Sequence, residues 1–250
     1  MNMAKIIRKT HRWAGLILGV QLLLWTVSGF YFALIPIEEI RGEHLAVSAK
    51  SFELASLESF QAPGLALNGF MSQHPTAVIS SVSLAHMRGR DVYRIQALID
   101  DKPHNRLIDA RTGAPVAMMQ AKEAELIASQ LITFSAVADQ VDFIEAADAD
   151  AEFRGRVLPI YSLYYGDESN FNLYLDAWTG ELVARRTTYW RIFDFLWMLH
   201  IMDYDDRSDF NNNLLRVFAL STVFFVISGF ALWLVSSQWM RNRRLRKAKI

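Results

Sequence analysis

Two long uncharged segments constrain the fold of this chain more than any other feature. They read "WAGLILGVQLLLWTVSGFYFALI" (13–35) and "VFALSTVFFVISGFALWLVSSQW" (217–239). At the α-helical rise, each segment would extend about 34 Å and cross a hydrocarbon core of about 30 Å. We therefore predict two transmembrane helices, over 13–35 and 214–239. The alternative, a core helix of a soluble protein, is disfavoured because such helices are shorter.

The charge distribution predicts the orientation of these helices. The formal net charge is zero, yet all 26 acidic residues lie between Glu38 and Asp209, whereas the tails 1–12 and 240–250 are basic. Both tails are therefore expected in the cytoplasm, with 36–189 exported to the periplasm of a bacterial inner-membrane protein. The first segment is too long for a cleaved signal peptide and predicts a permanent anchor. Cysteine is absent, which excludes disulfides and Cys-ligated iron–sulfur clusters.

A short pattern occurs twice in the region between the helices. The segments "RLIDARTGAPV" (106–116) and "LYLDAWTGELV" (173–183) share an apolar-Asp-Ala-x-Thr-Gly-x-x-Val pattern. Gly113 and Gly180 are predicted to adopt the positive φ that such turns require. Asp109 and Asp176 admit two interpretations, a functional carboxylate pair or turn-forming residues. The second is favoured because Asp before a Gly turn commonly binds the local backbone.

The repeated pattern predicts the architecture of the exported region. Each unit, near 91–131 and 158–189, reads as a strand, a hairpin and a helix, too small to bury a face alone, so two copies are expected to share a core. The acidic stretch 138–153 between them suggests a solvated helix or linker, and 190–213 an interfacial aromatic helix with an acidic loop. The predicted fold class is an α+β membrane protein in which two transmembrane helices flank this duplicated domain.

These motifs resemble a known family. The unit "YRIQAL…NRLIDARTGAPV" resembles a PepSY domain, and "RKTHRWAGLILGVQLLLWTVSGFYF" is similar to the PepSY-associated transmembrane helix with its "HRW-x-G…SG" signature. The segment "WMLHIMDYDDRSDFNNNLLR…ISGFALWL" looks like the second helix region of that family. Relatives include inner-membrane proteins linked to bacterial iron uptake, some regarded as haem-containing reductases. The resemblance therefore implies haem b and the reduction of ferric iron or a ferric siderophore on the periplasmic side.

The candidate haem ligands are histidines, because haem b iron takes one or two axial imidazoles. His11 matches the histidine of the "HRW" signature, although it could instead anchor the helix at the headgroups. His200 ends an aromatic run in which Trp190, Phe193 and Trp197 share its helical face. A straight first helix separates His11 from His200 by roughly 30 Å. A homodimer would bring each histidine to its symmetry mate, with His44 as the alternative partner of His200.

Two further polar features are candidates for a role. Gln21 is the one strongly polar side chain in the first span and is expected to mark the inward face of that helix. The cluster "MDYDDRSDF" offers carboxylates that could receive ferric iron as hard oxygen ligands, or could belong to a solvated loop. The candidate metal ligands are Asp203, Asp205, Asp206 and Asp209.

The sequence also restricts the possible partners of the protein. No motif for NADH or flavin is present, so a cytoplasmic flavin reductase or membrane quinol is expected as electron donor and ferric iron or a ferric chelate as acceptor. Membrane lipid and a second copy of the chain are expected partners, and nucleic acid is not. Two alternatives lack a redox cofactor. One is a membrane-tethered PepSY regulatory or binding module, and the other is a structural or assembly subunit of an electron-transfer complex.

Overall fold

The computed structural model describes residues 3–47, 60–146, 151–167 and 169–237 of the chain. The predicted basic tail 240–250 lies outside these residues. In chain order the elements are α1 (Met3–Leu34), α2 (Ile37–Ile40), α3 (Pro63–Gln73), β1 (Val78–Met87), β2 (Arg90–Ile99), β3 (Lys102–Asp109), α4 (Ala121–Leu131), β4 (Gln140–Ile144), β5 (Ile160–Tyr165), β6 (Phe171–Asp176), β7 (Leu182–Arg186), α5 (Thr188–Ile201) and α6 (Asn213–Ser236).

The chain divides into two compact units. The helical unit comprises 1–35 and 192–250, and the sheet unit comprises Pro36–Arg191. The chain is thus α+β, with two helices flanking a sheet-rich region in sequence, as predicted. Each unit has its own interior and is described separately below.

Two helices of the helical unit are long and apolar enough to cross a membrane. The qualifying segments are Arg8–Leu34 in α1 and Asn213–Leu234 in α6. Large apolar side chains lie exposed along both helices, including Leu16, Phe30 and Phe224, each more than 60% exposed. Such surfaces are stable in lipid rather than in water. The protein is therefore a membrane protein, and both predicted spans are present as helices.

The sheet unit contains two antiparallel sheets, each covered by one helix. The first sheet has the order β1-β2-β3, and the second has the order β4-β5-β6-β7. Helix α3 buries Ala66 and Phe70 among apolar side chains of the first sheet, including Ile95. Helix α4 buries Ala124 and Ala128 in the core of the second sheet. Each helix has small residues on its buried face, which permits a close approach to the strands.

This arrangement corrects the predicted repeat in two respects. The helix precedes its sheet in both copies, so the helix after the first hairpin, α4, belongs to the second core. The two copies also have separate cores instead of one shared core. The predicted boundaries failed because helical periodicity shows that a helix forms but not which sheet it covers.

The acidic stretch and the first hairpin also differ from expectation. Residues Gln140–Ile144 form the edge strand β4, which pairs with β5, whereas a solvated helix or linker was predicted. Its one acidic side chain, Asp142, is tolerated because it is exposed and an edge strand keeps much of its surface in solvent. In the first hairpin, the predicted second strand is reduced to a single bridge between Ile108 and Pro115. Proline lacks the N–H that a continued ladder would need.

The repeated turns match the prediction closely. Gly113 and Gly180 have φ values of 71° and 72°. The Asp109 carboxylate accepts from the amide of Thr112 at 2.9 Å, and the Asp176 carboxylate accepts from that of Thr179 at 2.8 Å. Both aspartates therefore serve as turn-formers, which was the favoured interpretation.

Candidate functional site

The first candidate site lies between α1 and α6. The ring of His11 stacks on Phe225, with centroids 4.4 Å apart and planes 7° from parallel. His11 Nδ1 lies 2.7 Å from the hydroxyl of Ser228. The neighbouring Gly229 leaves room for the ring, because a Cβ added there would lie 3.3 Å from His11 Cε1. The "SG" pair of α6 thus supplies both a hydrogen-bond partner and the space that the imidazole occupies.

The second candidate site lies between α1 and the end of α5. His200 Nδ1 is 2.6 Å from the hydroxyl of Ser28, which is fully buried. The last carbonyls of a helix lack intrahelical partners, and α1 provides donors for two of them. Gln21 donates to the carbonyl of Leu199 at 3.0 Å, and Trp25 donates to that of His200 at 2.7 Å. These bonds hold His200 against α1.

The serine hydroxyls are compatible with a tautomer that leaves Nε2 of both imidazoles free to bind a metal. The Ser28 hydroxyl donates its one hydrogen to the carbonyl of Leu24 at 2.7 Å, and the Ser228 hydroxyl donates to that of Phe225 at 2.7 Å. With the hydroxyl hydrogen on that carbonyl, the serine oxygen accepts from histidine and Nδ1 carries the hydrogen, which is the tautomer that a metal-binding Nε2 requires. In the neutral ring, the Nε2 lone pair is then unprotonated and directed away from serine. Burial also lowers the pKa of His200, which favours this neutral form.

The two sites lie at different levels of the same helix. Ser28 follows His11 by 17 residues on α1, which corresponds to a separation of about 25 Å along the axis. The two sites use the same chemistry, a histidine on one helix and a Ser-Gly pair on its neighbour.

Aromatic side chains surround the second site. Trp197 stacks parallel to His200, with centroids 6.4 Å apart, and Phe32 lies 5.6 Å from the imidazole. Phe193 in turn stacks on Trp197. The predicted aromatic face is therefore present for these α5 residues, whereas Trp190 packs under the guanidinium of Arg186 in the sheet unit. Gln21 is buried and faces α5, as its role as an inward marker requires.

The remaining predicted site residues do not lie at either histidine site and are not arranged as ligands of a metal ion. His44 is an exposed residue of the sheet unit. Asp203 accepts from the backbone amides of Ser208 and Asp209, both at 2.9 Å, and so organises the loop before α6. Asp205, Asp206 and Asp209 are exposed in that loop. Among the residues that the structure describes, no group of three or more His, Asp or Glu could hold a metal ion. The role of these aspartates as metal ligands stays a prediction.

Each site offers an imidazole, the donor that haem iron requires. His11 and His200 are both anchored at Nδ1, so that Nε2 is the ring nitrogen left for a metal. An open groove of about 450 Å³, lined by Val226, Gly229, Phe230 and Trp233, adjoins the first site at Gly229. Each site contains one histidine of this chain, so a second axial imidazole would have to come from another copy.

The serine partners are the residues that the sequence reasoning missed. From sequence, Ser-Gly pairs such as Ser28-Gly29 and Ser228-Gly229 indicate only close contact between helices. The structure shows that the hydroxyls also orient the imidazoles. The available signal was the recurrence of "SGF" in both spans, together with one histidine beside each span.

Comparison with known proteins gives the family of the chain. No curated protein and no solved structure matches it significantly. The family model of the PepSY-associated TM region matches residues 8–249, a range that includes both histidines, both Ser-Gly pairs and the whole sheet unit. The chain therefore belongs to the PepSY-associated TM family.

Proposed function

We propose that this protein binds haem b at His11 and His200 and transfers electrons across the bacterial inner membrane. The observation that supports the proposal most strongly is the serine hydroxyl at Nδ1 of both histidines, which leaves Nε2 outside that contact. Bound haem would supply a one-electron carrier at each level of the helix pair. The chain's own residues orient the imidazoles, and the apolar side chains around them exclude water.

The proposed assembly is a homodimer with both termini in the cytoplasm. Two copies would complete a pair of imidazoles at each level, with His44 as the alternative partner for His200. Electrons would enter from a cytoplasmic flavin reductase or a quinol. Each electron would convert one ferric ion or chelate to the ferrous state on the periplasmic side. The acidic middle region would concentrate the cation there, with Asp203, Asp205, Asp206 and Asp209 as candidate ligands.

The histidines are tested by spectroscopy of the full chain purified from haem-replete cells. We expect the wild-type protein to show a Soret band and an α-band that respond to reduction by dithionite. His11→Ala and His200→Ala should each remove the absorbance of one haem, because each variant lacks one iron ligand. His86→Ala is the matched control, since this imidazole already pairs with Asp91 at 2.9 Å. His44→Ala distinguishes the two proposed partners of His200. Colourless wild-type protein, or two variants with unchanged spectra, would overturn the proposal.

The serines provide an independent test. Ser28→Ala and Ser228→Ala keep the ligands but release Nδ1, and we expect each to weaken haem binding at its own site by about 10- to 100-fold. Haem retention during transfer to excess apomyoglobin measures the effect. Thr26→Ala is the control, because its hydroxyl bonds only within α1, to the carbonyl of Leu22. Equal haem loss from all three variants would contradict an orienting role.

A second candidate function is a membrane-tethered binding module without a redox cofactor. A cavity in the sheet unit, described next, favours it. Colourless protein that nevertheless binds a ligand in this cavity would support this alternative over electron transfer.

A further inference from the structure

A cavity of about 400 Å³ lies where the two repeats meet in the sheet unit. Helix α3 contributes Gly69 and Phe70, His74 follows the end of this helix, and β3 contributes Arg106. Trp178, from the turn of the second repeat, completes the wall. The volume falls within the range of small-molecule sites, and the lining is mostly apolar. Both repeats are needed to form this cavity, which gives the duplication a chemical consequence.

Arg106 is the charged group of the cavity, and its hydrogen-bonding capacity is largely unused. Its guanidinium lies over the Trp178 ring, 3.9 Å from the centroid. Nη1 donates to the backbone carbonyl of Asn105 at 2.8 Å. Among the described residues, no carboxylate pairs with Arg106, whereas Arg88 and Arg94 each form a salt bridge. A guanidinium has five N–H donors, so most of this fork is available to a ligand.

The surroundings of Arg106 favour an anion. Burial lowers the pKa of Arg106, and the charge of Asp176 partly offsets that effect. Asp176 is itself occupied, because its carboxylate accepts from Asn105 at 2.7 Å and from two turn amides. Burial and the charge of Arg106 also lower the pKa of the neighbouring His104. A partly desolvated cation that forms no salt bridge gains most from a charge-assisted, bidentate hydrogen bond.

The cavity walls are held in place by contacts between the repeats. Arg88 Nη1 donates to the carbonyl of Ala117 at 2.6 Å and to that of Trp178 at 3.0 Å. Its other nitrogens bind the carboxylate of Glu123, both at 2.7 Å. One arginine with a buried side chain thus connects the segment after the first turn with the second turn and with α4. Such support keeps a binding site in shape before the ligand arrives.

We propose that this cavity binds a small organic carboxylate with a flat apolar body. The carboxylate would pair with the free fork of Arg106, and the body would lie against Phe70 and Trp178. A carboxylate matches the guanidinium fork in geometry, and an aromatic body matches the apolar walls. The inference is independent of haem, since the site lies entirely within the sheet unit.

The test uses the full chain in lipid nanodiscs, with 2-naphthoate and its neutral amide as probes. Equilibrium dialysis against empty nanodiscs corrects for partition into lipid. We expect naphthoate to bind at least about 10-fold more tightly than naphthamide, because only the acid forms the charged pair. Equal binding of the two probes, or binding of neither, would overturn the proposal.

Three variants locate the site. Arg106→Gln is expected to weaken naphthoate binding by about 10- to 100-fold and to remove the preference for the acid. Gly69→Phe should abolish binding by filling the cavity while Arg106 stays intact. Gly64→Phe is the matched control on the same helix, because an added Cβ meets no atom within 4 Å at either glycine, and Gly64 does not line the cavity. Naphthoate binding that survives both Arg106→Gln and Gly69→Phe would place the ligand elsewhere and reject the assignment.

Discussion

Asp176→Ala is expected to lower the free energy of unfolding by about 3 kcal/mol, against about 1 kcal/mol for Asp109→Ala. Both carboxylates accept from two amides of their own turn. Asp176 is buried and also accepts from the buried amide of Asn105 at 2.7 Å. Its removal leaves these donors without partners where water has little access, whereas the partly exposed turn of Asp109 can be rehydrated.

Urea unfolding of the full chain in micelles would measure this difference. Hydrogen exchange of the amides in 171–186 should be followed in parallel, because it reports on the sheet unit separately from the membrane helices. A double-mutant cycle with Asn105→Ala isolates the connection between the repeats, and we expect a coupling energy of about 1 kcal/mol or more. Equal losses of unfolding free energy for Asp176→Ala and Asp109→Ala, with no coupling to Asn105, would mean that the buried hydrogen bond between Asn105 and Asp176 contributes nothing to stability.

Gly180→Ala is expected to lower the free energy of unfolding by about 3 kcal/mol, and Gly113→Ala by about 1 kcal/mol. Both glycines have a positive φ, so the backbone strain introduced by alanine is the same at both positions. The added Cβ differs in its surroundings. At Gly180 it would lie 2.9 Å from Ile127 Cδ1 and 3.2 Å from Arg88 Cγ, in a packed region. At Gly113 the three nearest atoms belong to the side-chain amide of Gln61. This flexible group can rotate away with the loss of one exposed hydrogen bond, to the carbonyl of Thr112 at 3.1 Å.

The same urea and hydrogen-exchange measurements apply to the glycine variants. Gly89→Ala is a useful reference, because Gly89 has a φ of 72° and an added Cβ there meets no atom within 4 Å. It measures backbone strain alone, and the excess for Gly180→Ala then measures crowding. If all three variants lost the same stability, crowding at Gly180 would be excluded as a cause.

Local features of the fold could be predicted from the sequence because they depend on neighbouring residues. The two spans follow from the length of uncharged segments, and the turns follow from Asp and Gly at fixed offsets. Both predictions are confirmed by α1, α6 and the positive φ of Gly113 and Gly180. The assignment of α4 to the first repeat was wrong, since its small-residue face is equally suited to either sheet.

The candidate sites could not be predicted fully from the sequence, because they depend on residues that are distant in the chain. The sequence singled out His11, His200 and Gln21 by residue type, because polar groups beside or within an apolar span are uncommon. It did not pair His11 with Ser228 or His200 with Ser28, which lie 217 and 172 residues apart. Nor did it show that Arg106 would meet Trp178 across the two repeats.

The sequence by itself therefore determined the membrane spans, the duplicated turns and the family resemblance, all of which depend on short-range pattern. Only the tertiary structure decided the serine partners of the two imidazoles, the order of helix and sheet in each repeat, and the position of Arg106 in the cavity. These features depend on which distant side chains are brought within about 3 Å, and hydrogen bonds weaken steeply beyond that distance.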